Sequence, residues 1–353
     1  MSNVHPIKHD DVKTNEWMDA ADLAQADIPE IDYLIDGILP AGSCGDVSGE
    51  PGGGKTSLLM SLMLHLAAGK HEWFGRRITS GPVMILGGEK SSRAVWIRDL
   101  ARAGAREMDL ECGRFIIPPF KQGALWEWAA KGKYWEKTGA WNAVTSIAKD
   151  LKPTLVVGDT IGRMALGQDP LDIPQQQRLA MQLEELRDVI GCTLITLSHT
   201  NQASKKESIR QRLDYISRSG GNGLPGHMRW LCGVTRLNEK EVAAVLGLDP
   251  NNADDAFEIE TRRFVAVGVS KDSEMPRPAW TPGAPAILEM KADGRLEMFG
   301  TQSVQAIDKQ IEESVMRKKM GKGPRSKNGI GLEKGHAESE KIKATHKGNN
   351  NDA

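Results

Sequence analysis

The hydrophobic positions of this chain follow two patterns that alternate along it. Short, continuous apolar runs occur at Val83-Met84-Ile85-Leu86, at Leu155-Val156-Val157 and at Leu194-Ile195-Thr196-Leu197. Runs of this length predict strands buried on both faces of a sheet. Between them the spacing is helical. Residues 56–68 are apolar nearly all round, as suits a helix lying against a sheet, and Gly69 is placed to end it. Leu179, Leu183, Leu186 and Ile190 fall at i, i+4, i+7 and i+11, one face of a helix that Pro174 opens and Gly191 closes. Ser91 or Ser92 is placed to cap a helix that ends near Gly104. Residues 141–150 also read as helix; residues 44–48 and 114–117 read as strands, the latter stopped by Pro118-Pro119. Strands alternating with helices through residue 200 predict an α/β fold, a mostly parallel twisted sheet with helices on both faces.

After residue 200 the pattern changes. Residues 201–226 are polar and carry Lys205, Lys206, Arg210, Arg212, Arg218 and a Gly-rich run. Residues 229–237, 257–270 and 285–299 read as additional C-terminal strands, with Asp293-Gly294 as a hairpin turn. The expected organisation is a flexible arm over 1–28, one domain over 29–300, and a disordered basic and polar tail over 301–353. Residues 120–142 stand apart, with Trp126, Trp128, Trp135 and Trp141 set among Lys121, Lys131, Lys133 and Lys137. Basic and aromatic residues interleaved in this way can stack bases and touch phosphates. The simpler reading, preferred here, is a helical insertion whose tryptophans pack on the core.

Composition narrows the choice. At a net charge of −1 over 353 residues, any affinity for nucleic acid must come from a local basic face. Cys44, Cys112, Cys192 and Cys232 have no CxxC spacing, which argues against zinc and against a disulfide framework and suits a reducing compartment. No apolar run reaches about 18 residues, and the first residues are polar and of mixed charge, unlike a signal peptide. A cytoplasmic location with no membrane partner is expected.

The chemistry centres on Gly49-Glu50-Pro51-Gly52-Gly53-Gly54-Lys55-Thr56, which fits the G-x-x-x-x-G-K-[ST] pattern at every fixed position. Its glycines let successive N–H groups turn inward around an anion, and the following helix adds its positive end. Lys55 reaches the outer phosphates, and the Thr56 hydroxyl joins the shell of Mg²⁺; Ser57 completes the nucleotide-binding set. Residues 29–42 are expected to pack on the nucleotide side of the core. Mg²⁺ needs a further oxygen ligand, and Asp159, at the end of an apolar strand, should emerge beside the loop. Glu89 follows the strand 83–88 where ligands bind in open α/β sheets, and is placed to orient the attacking water. His199 ends the strand 192–197, where it can sense the γ-phosphate.

Taken in order, Gly49–Thr56, Gly87-Gly88-Glu89-Lys90, Leu155-Val156-Val157-Gly158-Asp159-Thr160, Leu197-Ser198-His199-Thr200 and the lead-in Leu34–Gly42 resemble the RecA-like P-loop ATPases of the RepA type. These are hexameric replicative helicases of plasmids and related phage proteins, of the AAA kind. The resemblance spans roughly residues 29–300. It implies a ring of identical subunits with ATP at the interfaces, hydrolysis coupled to movement on single-stranded DNA, and replication proteins as further partners. It makes Glu89 the catalytic glutamate, His199 the sensor, and Arg229 the finger donated to the neighbouring subunit, with Arg218, Arg236 and Lys271 as competing choices. Lys205, Lys206, Arg210 and Arg212 are the residues expected to neutralise the DNA backbone. The alternative is an ATP-gated DNA-binding protein, a recombinase or helicase loader, that unwinds nothing. A small-molecule kinase would need a substrate pocket and lid for which the sequence offers no strong candidate.

Overall fold

Pairs of residues along the central strands point into two different cores, which is why those strands read as unbroken apolar runs. In Val83–Leu86, Val83 and Ile85 join one cluster while Met84 and Leu86 join the other; in Leu155–Gly158, Leu155 and Val157 divide from Val156 in the same way. The computed structural model describes residues 30–87, 92–117, 119, 123–200, 207–214, 223–272 and 278–319. All of these except residues 30–32 belong to the compact unit that starts at Tyr33.

The main sheet has nine strands, numbered here in chain order: β1 Cys44–Gly49, β2 Val83–Leu86, β3 Phe115–Ile116, β4 Leu155–Gly158, β5 Thr193–His199, β6 Trp230–Arg236, β7 Arg263–Asp272, β8 Ala286–Met290 and β9 Leu296–Thr301. Their spatial order is β9-β8-β7-β6-β1-β5-β4-β2-β3. The stretch from β6 to β3 is parallel throughout; β7, β8 and β9 add on antiparallel at the β6 edge. β1 and β2 follow each other in sequence but are separated in the sheet by β5 and β4. Such a reversal of strand order opens a crevice at the carboxyl ends of the strands.

Helices α1 Lys55–Ala67 and α2 Arg93–Arg102 cover one face, contributing residues such as Leu62, Leu64 and Trp96 to the first core. Helices α3 Gly139–Leu151 and α4 Ile173–Ile190 cover the other, through Trp141, Val144, Leu179, Leu183 and Leu186. The expected caps are present: Ser92 accepts from the Val95 N–H, Gly69 has φ +69°, and Gly191 ends α4 in the left-handed region. Burial pushes the Cys44 and Cys232 thiols up to about 12, so both stay protonated; among the four cysteines only Cys112 is exposed. Among the described residues no helix is long and apolar enough to cross a membrane.

Four expectations are corrected. Residues 126–129 and 134–137 form an antiparallel hairpin, not a helix, with Ala165–Leu166 as a third strand. The period is two: Trp135 is buried between exposed Tyr134 and Glu136. The tryptophans do pack inward, Trp126 against Trp141 with ring centroids 5.4 Å apart. Residues 253–261 form a helix, α6, capped by Asn252 with Asp254 and Asp255 in its first turn, so the strand expected from 257 begins at Arg263. The domain does not stop at 300. Val304–Lys319 forms helix α7, and its Val304 and Ile307 are buried against α5 (Glu239–Leu246), Phe264 and Ile287 in a third core. Finally, the lead-in hairpin Tyr33–Ile35/Leu39–Pro40 lies at the amino ends of the parallel strands, away from the nucleotide side. The Ile38 carbonyl accepts from the Trp230 indole at the start of β6, and the Gly42 N–H donates to Thr193 at the start of β5.

The docking of α7 is testable. Ile307→Ala should cost about 2–4 kcal/mol in urea unfolding, as for other buried large-to-small changes, whereas Val315→Ala, on the exposed side of the same helix, should change stability by less than about 0.5 kcal/mol.

Candidate nucleotide site

β1 ends at Gly49, α1 begins at Lys55, and the glycine loop joins them. Gly52 and Gly54 take φ +75° and +97°, a region costly for any residue with a Cβ. Gly49 is glycine for another reason. A Cβ there would sit 2.2 Å from the carbonyl oxygen of Val234 in the neighbouring strand β6. The helix opens on Gly54 with no side-chain cap, so its first N–H groups remain directed at the loop, a site suited to an anion.

Lys55 is buried, and its Nζ donates to the carbonyl oxygens of Gly49 at 2.7 Å and Glu50 at 3.0 Å; it also lies 3.4 Å from Nδ1 of His199. The ammonium is thus held over the loop, where a phosphate would meet it. Pro51 and Gly52 are exposed, Thr56 and Ser57 half-buried. The Glu50 carboxylate is tied down by the end of β6: the Arg236 N–H donates to it at 2.8 Å and the Thr235 hydroxyl lies at 3.1 Å.

Strand register brings the other groups to the same rim. Gly158 is paired with Leu86 on one side and Thr196 on the other, Ser198 with Ser48, and His199 with Gly49. Asp159, the next residue after β4, is 3% exposed, and its N–H donates to the Leu86 carbonyl. The segments that follow β1, β4 and β5 therefore leave the sheet at one rim, and β2 ends beside them. An open cleft of about 340 Å³ adjoins them, lined by Thr160, Ile161, Leu197, Ser198 and His199 among others. Thr56 and Asp159 offer oxygen donors only, which suits Mg²⁺.

Glu89, Lys205 and Lys206 lie outside the described residues; the strand that leads to Glu89 ends at this rim. Arg210 is exposed. Arg212 does not fit its expected role. It is 5% exposed, paired with the equally buried Glu241, and donates to the Thr235 hydroxyl and the Arg236 carbonyl, so its guanidinium is not presented to a DNA backbone. Arg229 is exposed, and its N–H donates to the Cys44 carbonyl at the start of β1. That is the amino rim, opposite the glycine loop, so within one subunit Arg229 does not belong to the nucleotide site. Lys271, half-buried, donates to the carbonyls of Pro225 and Gly226, and burial, with the charge of Arg229, lowers its pKa.

Two features were missed in the sequence. Asp46, buried within β1, accepts from the hydroxyls of Thr196 (2.7 Å) and Ser198 and so staples β1 to β5 below the loop. Its signal was slight, a carboxylate in the short strand Cys44-Gly45-Asp46-Val47-Ser48-Gly49 that folding buries throughout. The other is the tether on Glu50 from Thr235 and Arg236, for which no local signal exists.

A glycine cradle between β1 and α1, a buried lysine, and an aspartate two strands away at the same rim of this strand order define a RecA-like P-loop nucleotide-binding fold. The profile of the family described as AAA domain matches residues 8–205, more than half of the chain, and the protein belongs to that family. Among solved structures it is similar to a KaiC-like protein of the hyperthermophilic archaeon Pyrococcus horikoshii OT3. The identity is 16% and the TM-score 0.44, over 77% of this chain and 96% of that one. No curated protein sequence matches.

The two kinds of glycine separate by mutation. Gly49→Ala must push β1 from β6 and should abolish nucleotide binding, with a stability loss on the order of 3 kcal/mol or more. At Gly52 a Cβ would meet nothing within 4 Å, so Gly52→Ala should cost only about 1–2 kcal/mol of backbone strain. Urea unfolding and fluorescent-nucleotide titration of both variants check this.

Proposed function

We propose that the protein hydrolyses ATP and couples hydrolysis to movement on single-stranded DNA, as a ring-forming helicase of the plasmid or phage replicative type. The observation that carries this reading is the position of His199. It lies 3.4 Å from the phosphate-loop lysine, and the chain runs on from it into the basic segment of Lys205, Lys206 and Arg210. In this reading a change in charge at the γ-phosphate is felt by His199, which stands a few residues before groups suited to a nucleic-acid backbone.

In this reading Lys55 and the α1 N-terminus neutralise the outer phosphates. Thr56 and Asp159 would hold Mg²⁺, which when bound supplies further charge neutralisation as the bond to the γ-phosphate breaks. Glu89 orients the attacking water, and its carboxylate draws off the proton as the new P–O bond forms. The exposed Arg229 on the opposite rim serves a neighbouring subunit's site, which requires head-to-tail assembly of the kind a ring supplies. An arginine supplied in this way contributes about 10³–10⁵ in rate.

Single-stranded DNA should accelerate ATP hydrolysis several-fold at low salt, and the effect should fade as salt rises. Glu89→Gln should retain nucleotide binding and lose turnover by a factor of about 10² or more. Hydrolysis indifferent to single strands at low salt would remove the motor reading. DNA-stimulated hydrolysis without strand displacement would leave an ATP-gated DNA-binding protein.

A further inference from the structure

The phosphate loop is not held by its own glycines alone. Glu50, its second residue, half-buried, is joined through the end of β6 to a buried arginine on a different element. The Arg212 guanidinium lies on the short helix Ile209–Leu213, which a capping box from Ser208 and Gln211 starts. Its Nη1 donates to the Thr235 hydroxyl at 2.9 Å and to the Arg236 carbonyl at 2.8 Å. The Thr235 hydroxyl has one proton. With its oxygen accepting from Arg212, that proton is given to the Glu50 carboxylate, 3.1 Å away. The Arg236 N–H donates to the same carboxylate. Glu241 balances the arginine from the other side and is itself fixed by the Asn238 capping box of α5. Arg212, Thr235 and Glu241 are all buried.

The direction of this chain is set by charge: cation to hydroxyl to carboxylate, each link charge-assisted, with the Arg212–Thr235 end shielded from water and the Glu50 end at the partly open loop. It ends on the loop that must bind phosphate. Engaged by the Thr235 hydroxyl and the Arg236 N–H, the Glu50 carboxylate is anchored to the end of β6. Glu50 is also the residue whose carbonyl accepts from the Gly53 N–H and from Lys55, so fixing its side chain fixes the turn that forms the cradle. We propose that Arg212 and Thr235 are positioning residues for nucleotide binding, holding Glu50 so that the phosphate loop is preformed for the triphosphate. The inference rests on the nucleotide-binding part of the reading above and not on its DNA part.

The test is titration of the full chain with a fluorescent ATP analogue and Mg²⁺, alongside thermal melting. Thr235→Val keeps the shape and removes the hydroxyl; it should raise the Kd about tenfold in a protein that still melts cooperatively. Thr235→Ser, which restores the hydroxyl, should stay within about twofold of the wild type. Glu50→Gln, at a half-buried loop position that the fold tolerates, should weaken binding to a similar degree. Because all three groups lie on one chain of bonds, the Thr235→Val/Glu50→Gln double variant should be little worse than either single change. Should Thr235→Val fail to fold, Glu50→Gln decides by itself. A Kd within twofold of the wild type in folded Glu50→Gln or Thr235→Val overturns the proposal. So does an equal loss in Thr235→Ser, or strict additivity in the double variant. A wild-type chain that binds no nucleotide would overturn this inference and the phosphate-loop reading together, whereas a failure of DNA stimulation alone would leave it standing.

Discussion

Parallel pairing is the constraint on which this structure depends. When neighbouring strands run the same way, whatever follows each of them emerges at the same rim, however far apart the residues are in sequence. The ladders from β1 to β5, β5 to β4 and β4 to β2 are each in continuous register. As a result Gly49, Asp159 and His199 come to one rim without any of them having to find the others. The pairing is held from below as well as along the backbone: Asp46 in β1 takes two hydroxyl donors from β5. Gly49 sets the limit on the other side, since β6 runs so close that only hydrogen fits in place of a Cβ.

The same geometry separates two rims with different roles. The carboxyl rim carries the glycine loop, the buried lysine and the aspartate. The amino rim carries the lead-in hairpin and the exposed Arg229, with Lys271 drawn down below its usual pKa by burial and by its cationic neighbour. Between the rims lie three separate cores, two sandwiching the parallel strands and a third under the antiparallel extension. A buried ion pair such as Arg212–Glu241 is weak evidence of stability, since desolvation offsets much of its attraction. Its value here is that it aims a guanidinium at the end of β6, where the phosphate loop is anchored.

The parallel half of the fold was legible because its strands are buried on both faces. Val83–Leu86 and Leu155–Val157 therefore show no polar interruption to confuse the reading, and the glycine motif fixed where the rim lies. The rest was harder for identifiable reasons. Trp126, Trp128 and Trp135 alternate as a hairpin requires, but lysines among them masked the period. Ala253–Thr261 has its apolar residues bunched at 256, 257 and 259, so the strand pattern of the following segment ran back over it. In α7, Val304, Ile307 and Ile311 do form a helical stripe, but the acidic and basic residues around them gave the segment the composition of a tail. Arg212 reads as a cation for the DNA backbone because its partners Thr235 and Glu241 are distant in sequence; only folding brings them to it. The place of Asp159 at the carboxyl rim could be read because it follows from the strand it ends, whereas the rim of Arg229 could not, since it depends on which way β6 runs.

The central claim is that the carboxyl rim assembles a centre that splits a nucleoside triphosphate, with Asp159 as its metal-holding acid. Steady-state release of phosphate from ATP by Asp159→Asn, compared with the wild type at saturating Mg²⁺, tests it most directly. The substitution keeps the shape and removes the charge. The account predicts that the variant still binds nucleotide and loses turnover by about 10² or more; an Asp159→Asn protein that hydrolyses ATP at the wild-type rate would contradict it.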